Sequence, residues 1–235
     1  MKKIIAAFLG LFIAQAVYAQ QVNDPNAEVR KASGYHGISV SSSFDVYLSQ
    51  GNEEAVAVSA SEAKFRERIK VEVKDGILHI GYNSEGKWGQ GNKKLKAYIS
   101  FKQIDKLDIS GSCDAFISGT LRSDKLVLNL SGASDLKGKL DVKDLNIDLS
   151  GASDMNITGS ATQLTIEASG ASAFRGFEMI TENCNARASG ASDIKITVNK
   201  ELSAHASGAS DVEYKGTGVI RDIKTSGASS VSRSG

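Results

Sequence analysis

One pentapeptide, Ser-Gly-Ala-Ser-Asp, returns along the second half of this chain at a near-constant interval. It is complete at Ser131–Asp135, Ser150–Asp154, Ser189–Asp193 and Ser207–Asp211. Altered copies stand at Ser110–Asp114, Ser169–Ala173 and Ser226–Ser230. The leading serines are 21, 19, 19, 20, 18 and 19 residues apart. A self-similar unit at a fixed period is the mark of stacked repeats and outranks any local reading.

Each unit carries apolar or small residues five, three and one positions before its leading serine. Leu126, Leu128, Leu130 and Leu145, Ile147, Leu149 are examples, and Leu164, Ile166, Ala168 follow. Another apolar residue follows each turn: Leu136, Met155, Phe174, Ile194, Val212. The residues between them are polar. This is a period of two, used twice per unit with a turn between, so each short strand has one buried and one wet face. A single unit cannot bury its apolar face, whereas stacked units can. Helical repeats are roughly 34 residues or longer and carry a 3.6 period, so they do not fit.

The expected fold is therefore all-β: a small antiparallel β head followed by a single-stranded parallel β-helix of about seven coils. Right-handed coiling is the default for parallel crossovers. The pentapeptide suits a coil corner. Glycine reaches backbone angles closed to other residues. Alanine is expected to point inward, and serine and aspartate to bond to local backbone and hold the turn.

The regions before the repeat read differently. Lys2 and Lys3, the apolar run Ile4 to Val17 and the small-residue site at Val17-Tyr18-Ala19 form an expected signal peptide over residues 1–19. The apolar run is short for a membrane span. Residues 20–33 read as a flexible leader, residues 34–105 as the head and residues 106–235 as the β-helix. Within the head, Ser41, Asp45 and Val46 align with the motif serine, the motif aspartate and the apolar residue after it, which marks a divergent first unit. Ala55 to Ala60 reads as a strand, and Ser61 to Arg68 as a short helix with Ser61 as N-cap and Lys64, Arg66 and Arg68 exposed. Asp75-Gly76 joins the strands Ile69–Val73 and Ile77–Tyr82 as a hairpin. Asn83 to Lys94 is a polar loop holding Trp88, and Leu95 to Phe101 alternates again.

Several stretches taken together resemble one family. They are Ile38-Ser39-Val40, Phe44-Asp45-Val46-Tyr47-Leu48-Ser49-Gln50-Gly51, the pentapeptide series and Asp211-Val212-Glu213-Tyr214-Lys215-Gly216. The set resembles the auto-transporter adhesin head (GIN) domain, common in exported Bacteroidetes proteins, over roughly Tyr35 to Ser232. The resemblance implies a β head running into a β-helix, a surface or periplasmic setting and an adhesive role. It brings no catalytic motif. An autotransporter uses a C-terminal membrane barrel, and the last repeat here runs to Gly235, so surface display is expected to rely on other machinery.

Three outer rows are candidates for chemistry. The motif aspartates Asp114, Asp135, Asp154, Asp193 and Asp211 would stack in one column, with gaps at Ala173 and Ser230. Carboxylates about 4.8 Å apart repel by roughly 1 kcal/mol in water. Turn bonds, outward splaying or a cation such as calcium would have to offset that. The ordinary role of such aspartates is turn capping, and one monodentate carboxylate per coil makes a weak calcium site. The second row lies two residues before each leading serine: Asp108, Asn129, Asp148, Glu167, Arg187, His205, Lys224. Asp148, Glu167, Arg187 and His205 form the candidate ligand-facing column. Asp148 with Glu167 is the paired-carboxylate candidate for acid–base work on a polysaccharide, and Arg187 follows one coil on. The ordinary alternative is a solvated sheet face with cross-strand charge pairs. The third row carries Lys137, Lys139, Arg175, Lys195 and Lys215. It could meet an acidic polysaccharide or lipid headgroups, or simply keep a strand face soluble.

Other sites are thinner. Cys113 replaces a motif serine and Cys184 a core leucine. They sit about four coils apart, roughly 19 Å at strand spacing, which is beyond disulfide reach. His36, His79 and His205 show no metal spacing. No phosphate loop precedes a helix. A formal charge of +1 gives no reason for a nucleic-acid partner. The reading is an exported, non-catalytic adhesion-type protein that presents one long face to a glycan or an envelope or host protein. The alternatives are a polysaccharide-degrading β-helix enzyme and a purely structural envelope component. No cofactor is required, calcium being the one candidate. The last coil has little to cap it, so end-to-end self-association is also an expectation.

Overall fold

The computed structural model describes residues 24–84 and 92–235. The expected signal peptide and Trp88 lie outside the described residues. The elements, in chain order, begin with β1 (Glu28–Arg30), β2 (Gly37–Ser41), β3 (Phe44–Gln50) and β4 (Ala55–Ser59). A single helical turn α1 (Ala63–Arg66) leads to β5 (Ile69–Lys74), β6 (Ile77–Tyr82), β7 (Leu95–Phe101) and β8 (Lys106–Ser110). Five long strands follow: β9 (Asp114–Leu130), β10 (Asp135–Leu149), β11 (Asp154–Ala168), β12 (Ala173–Ala188) and β13 (Asp193–Gly208). The chain closes with β14 (Asp211–Lys215), β15 (Val219–Gly227) and β16 (Ser230–Arg233). No helix among the described residues is long and apolar enough to cross a membrane.

The repeat forms a parallel β-solenoid of about seven turns. Each long strand leaves one pentapeptide, rounds the opposite corner and runs to the next. The register is a shift of one unit: Leu136 faces Met155, Leu145 faces Leu164 and Asp148 faces Glu167. The inner columns are dry. Leu126, Leu145, Leu164, Cys184 and Leu202 are all 5% exposed or less, as are Leu136, Met155, Phe174, Ile194 and Val212. Period-two alternation thus becomes two apolar faces meeting inside the coil, and burial at about 25 cal/mol per Å² drives the stacking.

The turns stack through their backbones. Ala133, Ala152, Ala171, Ala191, Ala209 and Ala228 each donate an N–H to the glycine carbonyl of the preceding turn, at 2.7–2.8 Å. The glycines that accept are left-handed, with Gly151 at φ +74° and Gly170 at φ +76°. Alanine and serine exchange the parts expected of them. Ala133 and Ala152 are exposed, whereas Ser134, Ser153, Ser172, Ser192 and Ser210 are buried to 2% or less. A buried hydroxyl needs a partner, since leaving one unmade costs about 1–3 kcal/mol. Each of these donates to the carbonyl of its own leading serine at 2.8–2.9 Å. Cys113 takes the same place, its Sγ 3.2 Å from the Ser110 carbonyl and accepting from the Phe44 N–H at 3.3 Å.

The head begins as the divergent unit predicts. β2 pairs in parallel with β8, Ser41 against Ser110, and β3 pairs with β9, Asp45 against Asp114. The spatial order of coils differs from chain order. β2 also pairs in parallel with β6, and β3 with β7. The coil made by β6 and β7 therefore stacks outside the one made by β2 and β3, and the first unit in the chain is the second in space. Antiparallel strands finish that outer coil: β5 on β6, β4 on β7 and β1 on β4. Asp75 and Gly76, both at positive φ, turn the β5–β6 hairpin as expected.

Two local expectations fail. Ser61 is not the N-cap; that position is Glu62, with no side-chain cap bond. Ser61 instead bonds to the carbonyls of Asn92 and Lys93. Arg66 and Arg68 are half-buried rather than exposed: the Arg66 guanidinium pairs with Glu28 at 2.8 Å and bonds to the Asn26 carbonyl, and Arg68 Nε donates to the Asn83 carbonyl. Glu28 lies in β1, inside the stretch read as a flexible leader. A pairing so distant in sequence leaves no local signature.

Two measurements test this packing. A Cβ at Gly151 would stand 2.4 Å from the Gly132 carbonyl oxygen, while one at Gly34, also left-handed at φ +76°, would meet nothing within 4 Å. Urea unfolding is expected to show Gly34→Ala costing about 1 kcal/mol and Gly151→Val roughly 3 kcal/mol or more. Both thiols are buried and free. Burial pushes the Cys184 thiol up to about 12 and raises that of Cys113. At a pH of about 8, thiol reagents are expected to leave both untouched in the native protein and to titrate both in denaturant.

Candidate functional site

The face before the turns carries the row at minus two from each leading serine. Its members stand in unbroken register: Asp108, Asn129, Asp148, Glu167, Arg187, His205, Lys224. The alternation that sends Leu149 and Ala168 into the core sends Asp148 and Glu167 outward. Headward the row continues through Ser39 and His79 to Glu72. Sequence reasoning placed Ser39 in the divergent unit but could not place His79 or Glu72, because the β6–β7 coil has no leading serine to align.

A shallow groove of about 410 Å³ runs along this row and is lined by Asp148, Glu167, Arg187, His205 and Lys224. Its other wall is formed by Ser169, Ser189, Ser207 and Ser226, the leading serines of four successive turns. The four candidate residues of the column are thus brought together. Their charges are partly matched. Asn129 Nδ2 donates to Asp108 Oδ1 at 2.6 Å, and Arg187 Nε lies 3.9 Å from Glu167 Oε1. The Asp148 side chain makes no ion pair or hydrogen bond among the described residues. Asp148 and Glu167 are exposed.

At the far end of the groove, Asp222 Oδ2 receives both His205 Nε2 at 2.9 Å and Lys224 Nζ at 2.8 Å. Those two bonds hold the Asp222 carboxyl below its ordinary range, the Lys224 bond having the larger effect. The sequence reading missed Asp222 because it lies two residues before the row, opposite Ser203, and meets the row only through its side-chain bonds to His205 and Lys224.

The motif aspartates form the second column. Asp45, Asp114, Asp135 and Asp154 stand in succession, then Ala173, Asp193, Asp211 and Ser230. Among the described residues their side chains make no bond to their own turns; the buried serines do that instead. Asp154 is met by Arg175 at 3.0 Å, and Asp211 by Ser230 Oγ at 2.6 Å. No group of three His, Cys, Asp or Glu among the described residues is placed to hold a metal ion.

The third row is not a continuous basic stripe. Lys137, Arg175 and Lys195 share a row with Asn156 and Glu213, and Lys195 pairs with Glu213 at 3.4 Å. Lys139 and Lys215 fall outside that row, facing Thr158 and Thr197 respectively. Lys195 and Lys215 both lie over the Phe177 ring. Headward, the Lys137 row becomes aromatic. Phe116, Tyr47 and Tyr98 stack face to face, with centroids 5.7 and 5.1 Å apart. Tyr98 Oη donates to Asp24 at 2.9 Å, and burial with that carboxylate pushes its hydroxyl upward. Stacked rings present edges to solvent, which suits a packing ladder better than a sugar platform.

With this geometry in hand, the chain can be compared with known proteins. The family model described as "putative auto-transporter adhesin, head GIN domain" matches residues 34–218. No curated protein matches the sequence. Among solved structures, a putative adhesin from Bacteroides fragilis is similar at TM-score 0.82 and 20% identity, covering 88% of this chain and 96% of that one. A putative lipid-binding protein from Parabacteroides distasonis is similar at TM-score 0.67 and 20% identity, covering 90% and 98%. A putative adhesin from Parabacteroides merdae is similar at TM-score 0.68 and 15% identity, covering 89% and 95%. At these identities the likeness is one of fold.

The Asp222 cluster makes a pH-dependent contribution with a definite sign. A carboxyl held below its ordinary 3.8 in the folded state stabilises that state at neutral pH, and the stabilisation is lost as pH falls through the lowered value. Between pH of about 4 and 2, the stability of Asp222→Asn, followed by thermal melts, is expected to fall less steeply than that of the parent.

Proposed function

The chain belongs to the GIN adhesin-head family, and from that premise we propose that it is an exported, non-catalytic adhesion protein that presents the Asp148–Glu167–Arg187–His205 row to an extended glycan. One observation carries the reading: outward polar residues stand in unbroken register over seven coils, beside a second line of serine hydroxyls. The repeat of about 4.8 Å per coil gives a rigid, periodic array of donors and acceptors. The groove is open, with charged and hydroxyl side chains set beside Ala168, Ala188 and Ala206, which fits a chain lying across it better than a small molecule enclosed in it. Glu167 and Arg187 would hold sugar hydroxyls from opposite charges, and Asp148 brings a carboxylate with no partner of its own.

Polysaccharide cleavage on the same face is the competing reading. It requires one carboxyl to act as an acid beside a second that activates water or attacks. Glu167 is exposed and faces Arg187 at 3.9 Å, an arrangement that suits holding a sugar better than cleaving one.

The test is a glycan array probed with the purified protein and with Asp148→Ala/Glu167→Ala, each with and without a calcium chelator. The double variant is expected to melt within a few degrees of the parent and to bind the selected glycan at least about tenfold more weakly. Release of reducing ends by the parent, abolished in the double variant, would establish the enzyme instead. A blank array together with binding to anionic lipid vesicles would overturn the glycan reading in favour of a lipid surface. Loss of binding with chelator would return the aspartate column to consideration as a cation site.

A further inference from the structure

The two ends of the solenoid are finished differently. At the head, antiparallel strands cover the outermost coil. At the other end, β15 pairs with β13 alone and β16 with β14 alone among the described residues, so each strand keeps one open edge. Among the described residues, nothing is stacked above the inward side chains of that last coil. Ile220 and Ile223 are 43% and 38% exposed, and Val219 beside them is 61% exposed. The residues one coil below, Leu202 and Ala204, are 1% and 0% exposed. An open strand edge flanked by exposed β-branched residues is a template for another strand.

The sequence of that edge specifies the strand that fits. In an antiparallel pair, directly opposite residues point to the same face, and a two-fold axis normal to the sheet must pass through a residue set against itself. An axis through Arg221, Asp222 or Lys224 opposes like charges. An axis through Ile223 does not. It sets Ile223 against Ile223 of a second copy on the core side. On the wet side it sets Asp222 against Lys224 twice over. Asp222-Ile223-Lys224 is self-complementary when read antiparallel to itself.

We propose that the protein forms a two-fold, tail-to-tail dimer in which β15 pairs antiparallel with β15 of a second copy about Ile223. The contact covers Ile220 and Ile223 and closes the open edge. It stops at two chains, because a two-fold contact uses the same edge of both copies. Lys224, Thr225 and Ser226 line the groove at this end, so the two grooves meet at the axis. The inference stands whatever the groove binds.

Sedimentation equilibrium of the purified protein between about 1 and 100 µM tests it. The expected species has twice the 24.8 kDa chain mass, less any processed leader. Ile223→Lys puts like charges on the axis and is expected to weaken dimerisation at least about tenfold. Asp222→Lys and Lys224→Asp singly oppose like charges and should each weaken it, while the double exchange should restore it. The exchanges keep the register testable if Ile223→Lys does not fold. A monomer throughout the range overturns the proposal. So does a concentration-dependent filament, a dimer indifferent to Ile223→Lys, or single charge variants that the double exchange does not rescue.

Discussion

The contact on which this molecule depends is the approach of one turn's backbone to the next. Each motif alanine gives its N–H to the glycine carbonyl one coil below, at 2.7–2.8 Å. That spacing continues the parallel ladder through the corner, so the backbone groups of the turn are paired rather than left to water. It also leaves no room for a side chain. A Cβ on Gly132, Gly151, Gly170, Gly190 or Gly208 would stand 2.3–2.7 Å from the carbonyl below. The glycine is therefore required twice, by its positive φ and by its neighbour. The buried serine beside it supplies the only inward polar group of the corner and returns its hydroxyl to the same turn. Once the corners are locked, the leucine columns have a single register in which to stack, and the outer rows inherit it.

Those outer rows show how one constraint yields both structure and surface. Because every coil repeats the last, a residue type placed at one position becomes a line of that type along the axis. The minus-two position becomes a row of charges that turns from acidic to basic between Glu167 and Arg187, and its groove collects serine hydroxyls from four turns. The aspartate position becomes a column whose carboxylates point to solvent and take occasional partners such as Arg175. The position two residues further on becomes a column of stacked aromatics near the head and is mostly basic beyond it before reaching Glu213. Such a surface is rigid and linear, and suits recognition of an extended partner better than chemistry at a point.

A solenoid has two ends, and their treatment differs. The head end is folded over by strands that run against the solenoid, with the Glu28–Arg66 pair tying β1 to the helical turn. At the tail, no strand among the described residues covers the last coil, and its apolar side chains Ile220 and Ile223 are 43% and 38% exposed. Regularity in the repeat is what creates this edge, since a strand that pairs well below presents the same groups above.

The sequence by itself determined the period, the strand alternation, the inner leucine columns and the membership of the minus-two and aspartate rows, including Asp148, Glu167, Arg187 and His205. A one-dimensional repeat maps onto a one-dimensional stack, so position in the unit is position on the coil. It also placed Ser41 and Asp45 in a first unit that registers with Ser110 and Asp114. Only the tertiary structure decided what depends on contacts distant in the chain or on less than a full unit. The β6–β7 coil slips outside the first one, because β2 offers an edge on each side and nothing local chooses which coil takes it. The buried serine and exposed alanine exchange roles, because the corner's inward position needs a group that can bond to its own turn. Asp222 meets His205 of the neighbouring coil through a side-chain bond. Arg66 finds Glu28 across 38 residues. Each of these turns on geometry between elements, which a period cannot encode.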